Sequence, residues 1–194
     1  ALAILSLGGD PTQAGTDPDG EKINLIADGV YYRGRTQSLG SQGINGYIWG
    51  LIALDAMRYQ VPEDATDTRD TILLKILENQ GSEGAFSLDG KSADLDVTAM
   101  ALTALAPYYN SEEEYLVHGE YKTVRDSADR AVVYLSEQQE KDGTFVSWGK
   151  GSCEISSQVM IALCSLGIDP VNDPRFIKDG NNVLDGLIKY RISD

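Results

Sequence analysis

The chain of 194 residues is 42% hydrophobic and 24% charged, a balance typical of a globular protein with a substantial apolar core. Its net charge is −14, and its 16 basic residues lie scattered among 30 acidic ones, which excludes nucleic acid as a partner because phosphates are bound by clustered Lys and Arg. No run approaches the roughly 20 apolar residues of a membrane-spanning helix, so membrane insertion is not expected.

The apolar residues recur with the period of an α-helix, and two kinds of helix alternate along the chain. Inner helices are apolar or small nearly all round, which indicates burial by neighbours on several sides. They are predicted within residues 46–57, 94–109 and 156–170. Outer helices carry one apolar stripe among charges and are predicted within residues 68–80, 124–139 and 181–190. This alternation predicts an all-α fold of two concentric helical layers, without a β-strand of convincing length.

An internal repeat follows two of the outer helices. ILENQGSEGAFS and LSEQQEKDGTFV each contain an aliphatic residue, then Gln, Gly and Phe at the same spacing. The Gly suits a chain reversal at positive φ, the Phe is expected to fill the seam between helices, and the Gln to satisfy backbone groups of the turn. The repeated residues are Ile76, Gln80, Gly84 and Phe86, and then Leu135, Gln139, Gly143 and Phe145.

A second repeat lies in the inner helices. ALCSLGIDP, from Ala162 to Pro170, matches AILSLGGDP, from Ala3 to Pro11, at almost every position. The chain is therefore expected to open inside an inner helix and to hold roughly three to four helical hairpins. Residues 108–122, by contrast, are acidic and are predicted to form a solvated loop.

The Gln-x-x-x-Gly-x-Phe pattern before an apolar helix resembles the repeat of the α/α-toroid superfamily, which includes terpenoid cyclases, protein prenyltransferase β-subunits and cobalamin carriers. GINGYIWGLIALDA, ADLDVTAMALTALAPYYN and SLGIDPVNDPRFIKDGNNVLDGL are most similar to the prenyltransferase/squalene-oxidase repeats of Gram-positive bacterial surface proteins. The resemblance implies an all-α fold: an α/α toroid, or an incomplete arc of one, in a single domain at residues 1–194.

The resemblance has two further implications. The chain has fewer hairpins than a full ring, so the domain is expected to be a fragment that lacks one or more of them. Its open repeat edge would expose apolar surface and favour self-association. The surface proteins of the family also imply an extracellular or cell-surface location.

Asp94 and Asp96 precede the second inner helix and are the central candidates for a site. In the cyclases that the chain resembles, the run Asp-x-Asp-Asp-Thr-Ala supplies the proton, and its middle aspartate falls on Asp96. Val97 replaces the third aspartate, which removes a group that would stabilise the conjugate base. The alternative is capping, with Asp94 as N-cap and Asp96 at the positive end of the helix dipole, and capping can coexist with ligand binding.

Other ligand-binding candidates lie near the starts of inner helices. Aromatic rings at a cavity mouth can stack on a sugar, a peptide or a flat cofactor, and polar side chains add hydrogen bonds. Besides Asp94 and Asp96, the candidates are Tyr47, Trp49, Trp148, Glu154 and Gln158.

No metal and no cofactor is predicted. The zinc ligands of prenyltransferases are not reproduced, because the one histidine, His118, falls in the acidic loop rather than beside Cys153 and Glu154. Cys153 and Cys164 are expected on one helix, too far apart for a disulfide and buried as small apolar residues.

These observations favour a non-catalytic surface or secreted module that binds a ligand or protein partner at a cavity mouth formed by inner-helix N-termini. Three alternatives stay open. They are a terpene-cyclase- or prenyltransferase-like enzyme with a degenerate acid motif and Asp96 as its acid, a cobalamin-type binder, and a purely structural spacer.

Overall fold

The computed structural model describes residues 1–147 and 149–192. Its backbone separates into two units, Ala1–Ile76 and Leu77–Asp194, each with its own internal packing. The single repeat domain over residues 1–194 stays a prediction.

The first unit is organised around one inner helix, α2. Its elements, in chain order, are α1 (Leu2–Ser6), a 3-10 turn (Pro11–Gln13), β1 (Gly15–Thr16), β2 (Lys22–Ile23), a π-helical turn (Ala27–Tyr31), a second 3-10 turn (Arg33–Arg35), β3 (Ser41–Gly43), α2 (Ile44–Ala56) and the start of α3 (Arg69–Glu78). Gly43 adopts a φ of 71° at the N-cap of α2, a conformation that glycine reaches without strain. Ile48, Leu51 and Leu54 of α2 are fully buried, so this helix supplies much of the unit's core.

The second unit is organised around α4. Its elements after the end of α3 are α4 (Leu95–Leu105), a 3-10 turn (Ala106–Tyr108), β4 (Glu114–Val117), β5 (Glu120–Thr123), α5 (Val124–Glu137), β6 (Val146–Ser147), β7 (Lys150–Gly151), α6 (Cys153–Ser165), a 3-10 turn (Pro174–Phe176) and α7 (Val183–Ile188). Helix α4 packs against both α5 and α6. Thr123 and Asn182 open the outer helices α5 and α7 with capping boxes.

The helical periodicity is the most informative signal in the sequence. The segments predicted as inner helices form α2, α4 and α6, and those predicted as outer helices form α3, α5 and α7; the two layers stay a prediction. The fold is nevertheless not purely all-α, because the described residues also form three antiparallel strand pairs, β1–β2, β4–β5 and β6–β7. Within the described residues, no helix has both the length and the apolar character needed to cross a membrane.

The acidic segment 108–122 is the clearest departure from the predicted structure. The sequence predicts a solvated loop, but β4 and β5 form a hairpin, with Leu116 opposite Tyr121. Tyr115 and Val117 point inwards and are buried, while Leu116 between them is exposed. Four residues are enough to alternate between buried and exposed faces, but too few to stand out as a period in the sequence.

The repeated turns have the structure that the sequence predicts. Gly84 and Gly143 adopt φ values of 91° and 85°, and Phe86 is fully buried. The Gln80 side-chain amide donates to the Gly84 carbonyl at 2.8 Å and to the Ser127 carbonyl on α5 at 2.7 Å. The Gln80 side chain thus satisfies two backbone carbonyls and connects the first turn to α5.

The second turn follows the same plan. The Gln139 amide donates to the Gly143 carbonyl at 3.4 Å, and Phe145 is fully buried. The repeat thus fixes how each of these outer helices is followed by a reversal and a buried ring.

Candidate functional site

Helices α4 and α6 begin in the same way. The Asp94 carboxylate accepts a hydrogen bond from the Val97 amide at 3.1 Å, and the Ser152 hydroxyl accepts one from the Ile155 amide at 3.2 Å. Both residues are therefore N-caps, each bonded to the third residue of its helix. The capping role predicted for Asp94 is confirmed.

Asp96 and Glu154 then occupy equivalent positions, each the second residue of its helix. Asp96 is half-buried, and its Oδ1 is buried without a hydrogen-bond partner. Burial raises the pKa of this carboxyl, and the charges of Asp94 and Glu154 raise it further. No neighbouring group of the described residues lowers the pKa of Asp96 in compensation.

Glu154 has the opposite environment. Its carboxylate is exposed and is hydrogen-bonded by its own backbone amide, by the Cys153 thiol at 3.4 Å and by the Ser152 side chain, and these bonds lower its pKa. The hydrogen bond from Cys153 in turn raises the pKa of that thiol, which therefore stays protonated. The starts of α4 and α6 thus present two carboxylates whose pKa values are shifted in opposite directions.

A partly accessible stripe continues down each helix from these carboxylates. On α4 it comprises Asp96, Met100 and Thr103, which are all half-buried while most residues between them are buried. On α6, Gln158 is half-buried and Ile161 is 49% exposed. The spacing of four and then three residues puts each set on one helical face. Gln158 therefore lies one turn after Glu154 on the same helical face, and its role in ligand binding stays a prediction.

The prediction that the two cysteines are buried is wrong. Both lie on α6, as predicted, and both are free thiols, but both are exposed. The apolar composition of α6 suggests burial all round, whereas the helix keeps one open face that includes Cys164 and Ile161.

The other predicted site residues lie elsewhere. Tyr47 and Trp49 belong to α2 in the first unit. Tyr47 packs on Gly40, where an added Cβ would approach its ring to 2.6 Å, so Tyr47 has a packing role. Trp49 is 43% exposed and lines a cleft. Trp148 lies outside the described residues.

Asn45 is a residue that the sequence reasoning missed. It is the second residue of α2, the position that Asp96 and Glu154 hold in α4 and α6, and its Oδ1 is also buried without a partner. Alignment of the three inner helices by their N-caps would have found it.

Metal ligands are not assembled in the part of the chain that the structure describes. No group of three or more His, Cys, Asp or Glu side chains there is placed to hold an ion. His118 instead bonds through Nε2 to the Glu78 carbonyl oxygen at 2.8 Å, where it ties the β4–β5 turn to the end of α3.

Comparison of the chain with models of known families, with curated proteins and with solved structures finds no significant match. The similarity to toroid repeats therefore stays a prediction from the residues quoted above.

Proposed function

We propose that the chain is a non-catalytic module that binds a ligand or protein partner at the starts of α4 and α6. The observation that carries this proposal is Asp96, whose Oδ1 is buried without a partner next to two further carboxylates. Buried polar atoms are nearly always hydrogen-bonded, and an exception on an accessible helix face is a place for a ligand group.

The charge of the site favours a cationic group. A protonated amine or a guanidinium would donate hydrogen bonds to Asp96 and Glu154, and charge-assisted bonds of this kind are the strong ones. The stripe below, with Met100 and Ile161, would then contact an apolar portion of the same ligand. A basic peptide segment combines both features.

The proposal includes the architecture that the resemblance implies. Inner helices α4 and α6 alternating with outer helices α3, α5 and α7 support an arc of an α/α toroid, with the inner-helix starts at its cavity mouth. A surface or secreted location belongs to the same proposal and rests on the family resemblance alone.

A cyclase-like acid at Asp96 is the less favoured alternative. A carboxylic acid that protonates an alkene must have a conjugate base stabilised by donors. Asp96 has the reverse environment, since burial and then the neighbouring charges raise its pKa and its Oδ1 accepts no hydrogen bond. Val97, which stands where the motif has its third aspartate, is 3% exposed and belongs to the core.

A thermal-shift screen tests the proposal, because a ligand that binds the folded state raises the unfolding midpoint. The panel contains basic peptides, isoprenoid pyrophosphates, corrinoids, oligosaccharides and divalent cations. We expect basic peptides to raise the midpoint of the wild type and to lose this effect in Asp96→Asn and Glu154→Gln. Glu112→Gln is the matched control, because it neutralises an exposed carboxylate that lies outside α4 and α6.

The remaining outcomes distinguish the alternatives. Turnover of a polyprenyl substrate that is lost in Asp96→Asn would establish the enzyme. A change in corrinoid absorbance on titration would establish the cobalamin-type binder. No response to any ligand would contradict the proposal and favour the structural spacer.

A further inference from the structure

The first unit contains a cleft of about 530 Å³. It is open to solvent and runs along α2, on the face that carries Trp49 and Asn45. Its volume falls in the range of roughly 300–1,000 Å³ that holds small organic ligands. Its apolar walls are formed by Leu2, Leu25, Val30, Leu39 and Trp49.

The charge of the cleft differs from that of the chain. The whole protein has 30 acidic and 16 basic residues, yet no Asp or Glu of the described residues lines the cleft. Arg33 is the one charged side chain in this described lining, to which Ala1 with its α-amino group also belongs. Local charge therefore selects an anion, although the chain as a whole is strongly acidic.

Arg33 is placed to receive that anion. Its guanidinium donates one hydrogen bond, to Gln37 Oε1 at 2.8 Å, and no carboxylate pairs with it among the described residues. Arg35, two residues away, is by contrast paired with Asp64 at 2.8 Å and lies outside the cleft. A guanidinium carries five donors in a planar fork, so Arg33 keeps donors for a carboxylate.

Asn45 adds an uncommitted polar group. It lines the cleft, and its Oδ1 is buried without a hydrogen-bond partner. The NH₂ group of the same amide has two N–H donors, which a ligand carboxylate can accept. Small-molecule sites typically have apolar walls and a small number of convergent polar groups.

We propose that this cleft binds a small amphipathic carboxylate, whose flat apolar body contacts Trp49 and whose carboxylate pairs with Arg33. Asn45 hydrogen-bonds the same end of the ligand. This site is separate from the proposed function, because it uses residues of the first unit and takes an anion, whereas Asp96 and Glu154 of the second unit favour a cation.

Isothermal titration calorimetry with two matched probes tests the proposal. Naphthalene-2-acetate has the flat body and the charge, and 2-naphthaleneacetamide has the same body without the charge. We expect the acid to bind the wild-type protein about tenfold or more tightly than the amide, the difference that one charge-assisted pair typically makes. Trp49→Ala should weaken the binding of both probes.

Variants of Arg33 and Arg35 test whether the positive charge of Arg33 causes the preference for the acid over the amide. Arg33→Gln should bind both probes equally, whereas Arg33→Lys keeps the positive charge and should retain a preference for the acid. Arg35→Gln is the matched control and should behave as the wild type, because Arg35 does not line the cleft. Asp96→Asn should also leave both affinities unchanged, which separates this site from the proposed function.

Three results would overturn the inference. They are no binding of either probe, equal binding of the acid and the amide to the wild type, and an acid preference that survives in Arg33→Gln.

Discussion

Asp94 and Asp96 are two residues apart, yet different forces act on them. Asp94 is extended at the N-cap of α4, where its carboxylate accepts the Val97 amide. We expect Asp94→Ala to lower the free energy of unfolding by about 0.5–2 kcal/mol, because an amide of the first turn loses its acceptor. Urea denaturation measures this change.

The matched variant is Asp94→Asn, which retains a capping oxygen. It should lower the free energy of unfolding by only about a few tenths of a kcal/mol. A similar loss in both variants would show that the charge of Asp94, and not its hydrogen bond, supports the helix.

Asp96 makes the folded protein less stable when its carboxyl is ionised. Its pKa in the folded protein is raised above the ordinary 3.8, chiefly by burial. The folded state therefore holds this proton more tightly than the unfolded chain, so stability falls as the pH rises from 3.8 through the raised value. At pH 7 we expect Asp96→Asn to be more stable than the wild type, by about 1 kcal/mol at most because the group is screened by solvent.

Denaturation curves of both proteins between pH 3.5 and pH 7, at roughly constant ionic strength, check this sign. The advantage of Asp96→Asn should shrink towards zero as the pH approaches 3.8. A less stable variant at pH 7 would mean that attraction to the helix N-terminus outweighs burial and the neighbouring charges.

The sequence reasoning at this scale succeeded where the cause is local. The capping role of Asp94 follows from an aspartate before an apolar run, and the structure confirms it. The missing partner of Asp96 Oδ1 and the exposure of Cys153 and Cys164 depend on how α4 and α6 pack, which no local pattern encodes.

At the scale of elements, the glycine turns decide how one helix connects to the next. Gly143 has a φ of 85°, and a Cβ there would clash with the Asn182 carbonyl oxygen and the Gly186 amide at the start of α7. We expect Gly143→Ala to cost more than the roughly 1–2 kcal/mol of a left-handed alanine, because α7 must also move. Thermal unfolding followed by circular dichroism measures the loss.

Gly180 provides the matched control, since its φ is 86° and a methyl group added there would have no neighbouring atom within 4 Å. Gly180→Ala should therefore lose only the stability that a left-handed backbone costs an alanine, without a steric clash. Equal losses in the two variants would show that the close approach to α7 does not matter for stability.

The elements themselves were predictable to different degrees. The outer helices were predicted from an apolar stripe over several turns and the inner helices from long runs that are apolar nearly all round, and the Gln-Gly-Phe repeats marked the reversals after two outer helices. The β4–β5 hairpin was missed because four-residue strands contain too few alternations, and the pairing of Leu116 with Tyr121 is a tertiary feature.

At the scale of the whole molecule, the repeats predicted a ring or an arc, and the structure shows helices of the expected order together with strand pairs. Closure of a ring depends on small rotations between successive hairpins, which sequence spacing does not specify. The apolar composition of a helix equally does not tell which of its faces remains open.

Self-association is the prediction that belongs to this scale. Leu184 and Ile188 lie four residues apart on α7 and are 37% and 53% exposed, so they form an apolar stripe on one face. The net charge of −14 opposes the approach of two copies, and salt screens this repulsion, with a Debye length of about 10 Å at 0.1 M and about 3 Å at 1 M. We therefore expect association to increase with salt in analytical ultracentrifugation.

Substitution of both residues of this stripe separates apolar docking from charge screening alone. Leu184→Gln/Ile188→Gln should sediment as a monomer at either salt concentration, because the surface that would be buried has become polar. Leu116→Gln, which changes an exposed leucine on β4, should associate like the wild type. If the double variant associated as strongly as the wild type, the contact would lie elsewhere on the molecule. If the wild type stayed monomeric in high salt, the prediction of self-association would be wrong.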